Sequence, residues 1–295
     1  MKIDFIKMHG LGNDYIYVDC FRQSLRGIDL PELCRTMSDR HHGIGADGLI
    51  LITPPSDGVG ADVRMEMYNA DGSRGEMCGN GIRCVAKYAV ENGLARAQQE
   101  AQATQVPLLV ETDRGVLQLA AHHDPDGIVS SVRVDMGSPI LQPRMIPVDL
   151  PGDRCVRSQI ELAGRPYAMT CVSMGNPHAV FFVDDLGSID LATLGPSVER
   201  HRLFPNRVNA HFAQANSRRD ATMRTWERGT GITLACGTGA CAVHVAGVLE
   251  GRLDRRAAIH LPGGDLEIDW PEGEGTSLFK TGPAEEVFRG TWSRA

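Results

Sequence analysis

Cys78 and Cys236 each open the same short pattern, Cys-Gly-x-Gly, and each is followed fifteen positions later by a glycine, Gly93 and Gly251. The run between reads as a helix that starts at the pattern and ends where a positive-φ cap is needed. A helix N-terminus carries unpaired amide hydrogens and a partial positive charge, so a carboxylate docks there and a cysteine there becomes more acidic. The glycines let a ligand approach the backbone closely. A thiolate beside a bound carboxylate is placed to remove a proton from the adjacent carbon. With two such places, one group takes a hydrogen from one face of a carbon and the other returns a hydrogen to the opposite face, which inverts a stereocentre without redox chemistry.

A lone cysteine at a helix start is ordinarily a small buried residue, and it is the duplication that argues otherwise here. Residues 78–93 lie over residues 236–251 without a gap, at a shift of 158. The same shift puts Met65 on Met223, Tyr68 on Trp226, Val85 on Val243 and Val90 on Val248. Upstream, Gly12-Asn13-Asp14-Tyr15 with Val18-Asp19 is echoed by Gly175-Asn176-Pro177-His178 with Val183-Asp184. Strand-like runs precede each pattern, at 5–18, 49–53 and 63–68 and again at 169–173, 180–183 and 222–226. The helix after Cys236, rich in Ala, Val and Leu, reads as buried almost all round. Cys84 and Cys241 sit at unequal offsets from the leading cysteines and read as core.

These elements predict an α/β (α+β) chain of two pseudo-symmetric lobes, each a sheet curled around one central helix. A polar turn at 122–127 is followed by an alternating strand, which puts a boundary near residue 131. The expected division is 1–131 for a first lobe carrying Cys78 and 132–277 for a second carrying Cys236, with 278–295 returning to the first. The stretch 95–105 is rich in Ala and Gln.

Composition bounds the partners. The chain has 295 residues and a formal charge of −7, with no basic run able to follow a phosphate backbone, so a small molecule is expected rather than nucleic acid. No apolar run reaches the length of a membrane span, and the first residues lack the features of a secretion signal, so the expected location is cytoplasmic. Eight cysteines at irregular spacing form no disulfide framework in that compartment. Neither C-x-x-C nor H-E-x-x-H occurs, and no metal is expected. Gly43-Ile-Gly-Ala-Asp-Gly48 matches the dinucleotide fingerprint but leads into a strand instead of leaving one, which makes it a turn. No other cofactor motif appears. The oligomeric state is open, with a homodimer among the assemblies the sequence allows.

Polar residues crowd the same neighbourhoods: Asn13, Asn69 with Asp71, Asn176 with His178, Asn209, and the adjacent Glu227-Arg228. Singly, Asn and Asp favour turns. The Glu-Arg pair just before Cys236 is more informative, because a guanidinium grips a carboxylate with two bonds and a glutamate holds an ammonium, which suits an amino-acid group. A glycine-rich binding scaffold without activity would leave two duplicated helix-start cysteines unexplained.

Along essentially its whole length the chain resembles the diaminopimelate epimerases. The resemblance rests on Met8-His-Gly-Leu-Gly-Asn-Asp-Tyr15, Tyr68-Asn-Ala-Asp-Gly-Ser73, Met77-Cys-Gly-Asn-Gly-Ile-Arg-Cys84, Ser173-Met-Gly-Asn-Pro-His178, and Trp226-Glu-Arg-Gly-x-Gly followed by Ala235-Cys-Gly-Thr-Gly239. It implies two α/β lobes, each a sheet curled into a barrel around a helix, with the active site in the cleft between. It implies interconversion of LL- and meso-diaminopimelate on the bacterial route to lysine and peptidoglycan, without pyridoxal phosphate or metal. The resemblance places the acid/base cysteines at Cys78 and Cys236 and carboxylate-binding backbone at Gly79-Asn80 and Gly237-Thr238. Substrate contacts fall on Asn13, Asn69, Asn176, Asn209, Glu227 and Arg228, and His178 and Glu227 match residues that tune the cysteines. One position departs: where members of the family often have glutamine as a substrate contact, this chain has Gly48, so water or neighbouring backbone must serve there. Proline racemases, with His after Cys-Gly where this chain has Asn80, and phenazine-type isomerases, which lack the cysteine pair, match less well.

Overall fold

The computed structural model describes residues 2–96, 105–272 and 274–293. Most of the Ala- and Gln-rich stretch, 97–104, lies outside the described residues. The chain divides into two units, residues 1–134 with 282–295, and residues 135–281.

In the first unit β1 (Lys2–Gly10) and β2 (Asn13–Asp19) form a hairpin, and α1 (Leu30–Ser38) crosses to β3 (Gly48–Thr53), which lies parallel to β2. β4 (Val63–Asn69) returns antiparallel, with the short β5 (Arg74–Gly75) on its end. After α2 (Gly81–Glu91), β6 (Gln105–Thr112) enters parallel to β4 and continues as a meander through β7 (Gly115–His123) and β8 (Val129–Asp135).

The second unit repeats this order. β9 (Ser158–Leu162) leads into the hairpin of β10 (Arg165–Ser173) and β11 (Pro177–Phe182), and α3 (Leu191–Glu199) crosses to β12 (Asn209–Ser217), parallel to β11. β13 (Asp220–Glu227) and β14 (Gly231–Thr233) precede α4 (Gly237–Leu249). β15 (Arg256–Leu261) lies parallel to β13, and β16 (Gly264–Asp269) and β17 (Phe279–Gly282) complete the meander. β18 (Glu285–Ser293) pairs antiparallel with β1, so the end of the chain belongs to the first unit.

Each sheet curls around its second helix. α2 packs against β1, β2, β4, β6 and β7, and α4 against β10, β11, β12, β13, β15 and β16. A helix enclosed this way is mostly apolar on every side, and ten consecutive residues of α2, Gly81–Val90, with Arg83 and Lys87 among them, and nine of α4, Gly239–Gly247, are buried. The crossing helices are started alike, by Asp29 accepting from the Glu32 amide and Asp190 accepting from the Thr193 amide, the ordinary aspartate N-cap. Among the described residues no helix is long and apolar enough to cross a membrane.

One reading of the sequence needs correction. The run 5–18 is not a single strand: Leu11 and Gly12 have φ of 61° and 81°, and the chain turns there into the β1–β2 hairpin. Two consecutive left-handed residues are the geometry of a tight hairpin turn. The signal was Gly12 with Asn13 after it, turn-forming residues embedded in an otherwise strand-like run.

Candidate active site

The ends of α2 and α4 show the duplication in hydrogen bonds. The first intrahelical-type bond runs from the Ile82 amide to the Cys78 carbonyl in one unit and from Ala240 to Cys236 in the other, each 2.9 Å. The amides of Gly79 and Asn80, and of Gly237 and Thr238, lie ahead of that first bond, at the exposed end of the helical ladder. The Gly81 amide donates to the Cys78 sulfur at 3.3 Å, and the equivalent Gly239 amide donates to the Cys236 sulfur. At the far ends Leu94 bonds back to Ala89 and Arg252 to Gly247, with Gly93 and Gly251 at φ of 71° and 70°, the same Schellman closure twice. The copies differ in one respect. Cys236 is the N-cap of α4, whereas the regular part of α2 begins only at Gly81, with Asn80 as N-cap.

Around Cys78, which is half-buried, the thiol donates to Asn13 Oδ1 at 3.3 Å, and Asn80 Nδ2 donates to the same oxygen at 3.4 Å. Asn13 stands at the start of β2, just past the hairpin turn, and its Nδ2 donates to Asp47 at 2.7 Å. That bond fixes which end of the amide faces the cysteine. Asp47 is held in turn by Arg40 at 2.9 Å, and Arg40 also grips Asp14 at 2.7 Å. Asp14 further pairs with the buried Lys7; burial alone would raise its pKa, but Arg40 and Lys7 hold the carboxyl below its ordinary range. Tyr15 bonds to Cys78 as well, and burial and that neighbour push the phenol well up. Arg83, fully buried in α2, donates to the Gly79 carbonyl and Asn80 Oδ1, each at 3.0 Å, and to the Pro283 carbonyl at 2.9 Å. Asp47, Tyr15 and Arg83 were not singled out from the sequence. Arg83 was the one with a signal, a cation that, like Lys87 one turn on, interrupts the apolar run of the helix.

Asn69 lies at the end of β4 with its Nδ2 donating to Ser73 Oγ at 3.0 Å, and Asp71 caps the same turn through the Ser73 amide and hydroxyl. Gly48 is paired with Asn69 across β3 and β4. A Cβ there would run into the Tyr68 carbonyl and stand 2.9 Å from the Tyr15 ring, so the strand pairing leaves no room for a side chain at this position.

Cys236 is buried. Burial and the adjacent Glu227 carboxylate push its thiol well up, against the Gly239 amide and the Thr238 hydroxyl, which pull it down. A helix start was expected to make this cysteine more acidic; desolvation and a bonded carboxylate outweigh it. Glu227, at the end of β13, also accepts from Thr233 Oγ1 at 2.6 Å. Arg228 is exposed, its Nη1 donating to the Asn206 carbonyl at 3.0 Å and its amide to Asn209 Oδ1 at 2.9 Å. Asn209 Nδ2 donates to the Pro177 carbonyl at 2.9 Å, so this buried amide ties the starts of β11 and β12 to the end of β13 and keeps one hydrogen and one lone pair for a ligand.

His178 makes no hydrogen bond to Cys236. Its Nε2 lies 2.9 Å from Asn176 Oδ1 and its Nδ1 2.8 Å from His211 Nε2. Asn176 Nδ2 donates to Thr238 Oγ1 at 3.4 Å, and that hydroxyl lies 3.8 Å from the Cys236 sulfur. His211 Nδ1 is 3.0 Å from Thr225 Oγ1. Burial holds both imidazoles neutral: His178 is pushed well below its ordinary range, helped by His211 and Arg228, and His211 falls to about 3. His211 and Thr225 gave no motif in the sequence. Cys84 and Cys241 lie in the core, and burial pushes Cys84 up to about 11. Among the described residues no group of three or more His, Cys, Asp or Glu is placed to hold a metal ion.

Comparison with known proteins places this geometry in context. The family model described as diaminopimelate epimerase matches residues 5–142 and 170–287. The diaminopimelate epimerase of Desulfitobacterium hafniense is 47% identical over 289 residues, covering 98% of this chain and 97% of that protein. That of Pelotomaculum thermopropionicum is 48% identical over 290 residues, covering 98% of each. Among solved structures, a hydroxyproline epimerase from Agrobacterium vitis superposes with a TM-score of 0.64 at 14% identity, over 99% of this chain and 91% of that one. A phenazine biosynthesis protein from Enterococcus faecalis gives 0.67 at 11% identity, over the whole of both chains. At such low identity these two share the fold alone.

Proposed function

The chain belongs to the diaminopimelate epimerase family, and from that membership we propose that it interconverts LL- and meso-diaminopimelate with Cys78 and Cys236 as the acid/base pair. The observation that carries this reading is the matched pair of helix starts, each with a cysteine sulfur accepting from the amide three residues on and two further amides ahead of the first helical bond. In this reading the substrate carboxylate lies against the amides of Gly79-Asn80 and Gly237-Thr238, where negative charge growing on it as the α-proton leaves is stabilised. One sulfur, as thiolate, takes the α-hydrogen; the other, as thiol, returns a hydrogen to the opposite face; reversing the direction exchanges the two states. Glu227, bonded to Cys236, takes up the proton that this thiol must lose before it acts as a base. Asn13 Oδ1 holds the Cys78 proton on the other side.

Arg228 and Glu227 bring a guanidinium and a carboxylate for the distal amino-acid group, and Asn69, Asn176 and Asn209 supply further polar contacts. The product serves lysine and peptidoglycan precursor synthesis. Neither pyridoxal phosphate nor metal takes part, so turnover should withstand both hydroxylamine and EDTA.

Incubation with LL-diaminopimelate in deuterated water tests the reading. The meso product should carry deuterium at the inverted α-carbon, because the hydrogen returned comes from a thiol in exchange with solvent. Product with no deuterium, or no product, would overturn it.

A further inference from the structure

The hydrogen bonds behind Cys236 form one continuous line across three strands and a helix start. His211 and Thr225 are directly paired across β12 and β13, and His178 reaches them from β11, its ring 5.0 Å from that of His211. Donor and acceptor at each link follow from the Asn176 amide, whose oxygen faces His178 and whose nitrogen faces Thr238. His178 must carry its hydrogen on Nε2. As a neutral ring it then accepts at Nδ1, so His211 carries its hydrogen on Nε2 as well, and His211 Nδ1 accepts from the Thr225 hydroxyl. At the other end Thr238 Oγ1 receives the Asn176 hydrogen, which leaves its own hydroxyl hydrogen for the Cys236 sulfur.

The first unit provides an internal control. The place of His211 is taken there by Ile50: a Cβ on Gly239 would run into the His211 ring, and one on the equivalent Gly81 would meet Ile50 Cδ1 at 2.6 Å. The place of Thr225 is taken by Met67, paired with Ile50 as Thr225 is with His211. The same sheet thus packs the same helix start with apolar side chains. Burying an imidazole and a hydroxyl costs desolvation that an isoleucine and a methionine avoid, so packing does not account for them.

We propose that Thr225 and His211, acting through His178, Asn176 and Thr238, form a one-way chain of hydrogen bonds whose last hydrogen is presented to the Cys236 sulfur, with His211 as the positioning residue that sets its direction. The chain stabilises the thiolate of Cys236 and not its thiol. Its reverse would turn Thr238 away and face the sulfur with a lone pair. The inference rests on the reading of Cys236 as an acid/base group, and it adds an asymmetry: in the first unit Ile50 and Met67 take the places of His211 and Thr225, and Cys78 instead donates to Asn13 and bonds to Tyr15.

Nitrogen-15 imidazole spectra of the full-length protein at neutral pH test it directly. His178 and His211 should both be neutral with hydrogen on Nε2; hydrogen on Nδ1 in either ring, or a charged ring, overturns the chain. Two variants supply the second measurement. His211→Ile copies the packing of the first unit and should fold, yet lower kcat by about tenfold or more with KM little changed, since a bond to a developing charge is lost while binding groups stay in place. His211→Gln, whose amide donates to His178 and accepts from Thr225, should recover most of that loss. Equal rates for His211→Ile and the wild type overturn the proposal, as do equal losses for both variants. Wild-type protein that leaves diaminopimelate unchanged would instead overturn the functional reading, whatever the tautomers.

Discussion

At the level of single residues, the two helix-start cysteines are alike in backbone and unlike in surroundings. Cys78 is half-buried and hydrogen-bonded to Asn13, whereas Cys236 is buried against Glu227. Either Cys78→Ala or Cys236→Ala should lower kcat/KM for epimerisation by about a thousandfold or more, the usual scale for a lost acid/base group. The double variant should be scarcely worse, because both act in one transfer. Near-normal turnover by a folded Cys78→Ala protein would sink the two-base mechanism. Cys84→Ala and Cys241→Ala remove thiols from the core and should leave turnover largely intact. Arg228 tests recognition: Arg228→Lys keeps the charge but loses the planar fork, and KM for diaminopimelate should rise by roughly tenfold. An unchanged KM in both Arg228→Lys and Arg228→Ala would remove this residue from the site.

Among the elements, α2 and α4 are ended by the same closure and started differently. Gly251→Ala puts a side chain at φ of 70°, with no other atom within 4 Å of its Cβ, so the cost is conformational, about 1 kcal/mol, and activity should survive. Gly239→Ala is another matter. Its Cβ would enter the His211 ring in a packed interior, and the overlap should cost about 1–3 kcal/mol and lower kcat as well. Urea unfolding of both variants beside the wild type measures the difference; equal losses would show that the His211 ring moves aside freely. The Gly48 strand is a second narrow place. Any side chain there must push β3 and β4 apart at the Tyr68 carbonyl, so Gly48→Gln should destabilise this chain.

For the molecule as a whole, the second unit holds three buried histidines, His178, His211 and His244, whose imidazoles are depressed by burial, His211 to about 3 and His244 to about 4. Below pH 6.5 the unfolded chain binds protons at these rings that the folded chain does not. Stability should therefore fall as pH drops from about 6.5 toward 4, by about 1.4 kcal/mol per pH unit for each histidine. His260, raised by Asp265 on the surface, has the opposite sign: its contribution is present at low pH and is lost as pH rises through its folded pKa, and exposure keeps it small. Urea midpoints at pH 7, 6 and 5 should decline steadily; a flat profile would mean that these rings charge without unfolding.

Much of this was legible in the chain itself because it is local or repeated. Two copies of Cys-Gly-x-Gly at a constant shift, each closed by a glycine, specify two helices, and helix starts have the same unpaired amides wherever they occur. Alternation gave the strands just ahead of each cysteine, except that the first run breaks at Leu11-Gly12; the later meanders, such as β6–β7 and β15–β16, were not read. The state of the cysteines was not legible. Whether a thiol at a helix start is made more or less acidic depends on what buries it, and for Cys236 that is Glu227 and a packed interior, set by how β13 meets α4. The link from Thr225 to Thr238 likewise exists only because strand register lines up residues far apart in sequence on one face of a sheet. Ile50 and His211 look equally ordinary as letters in a strand. Only their equivalent seats under α2 and α4 show that one packs a helix and the other holds a hydrogen bond in a fixed direction.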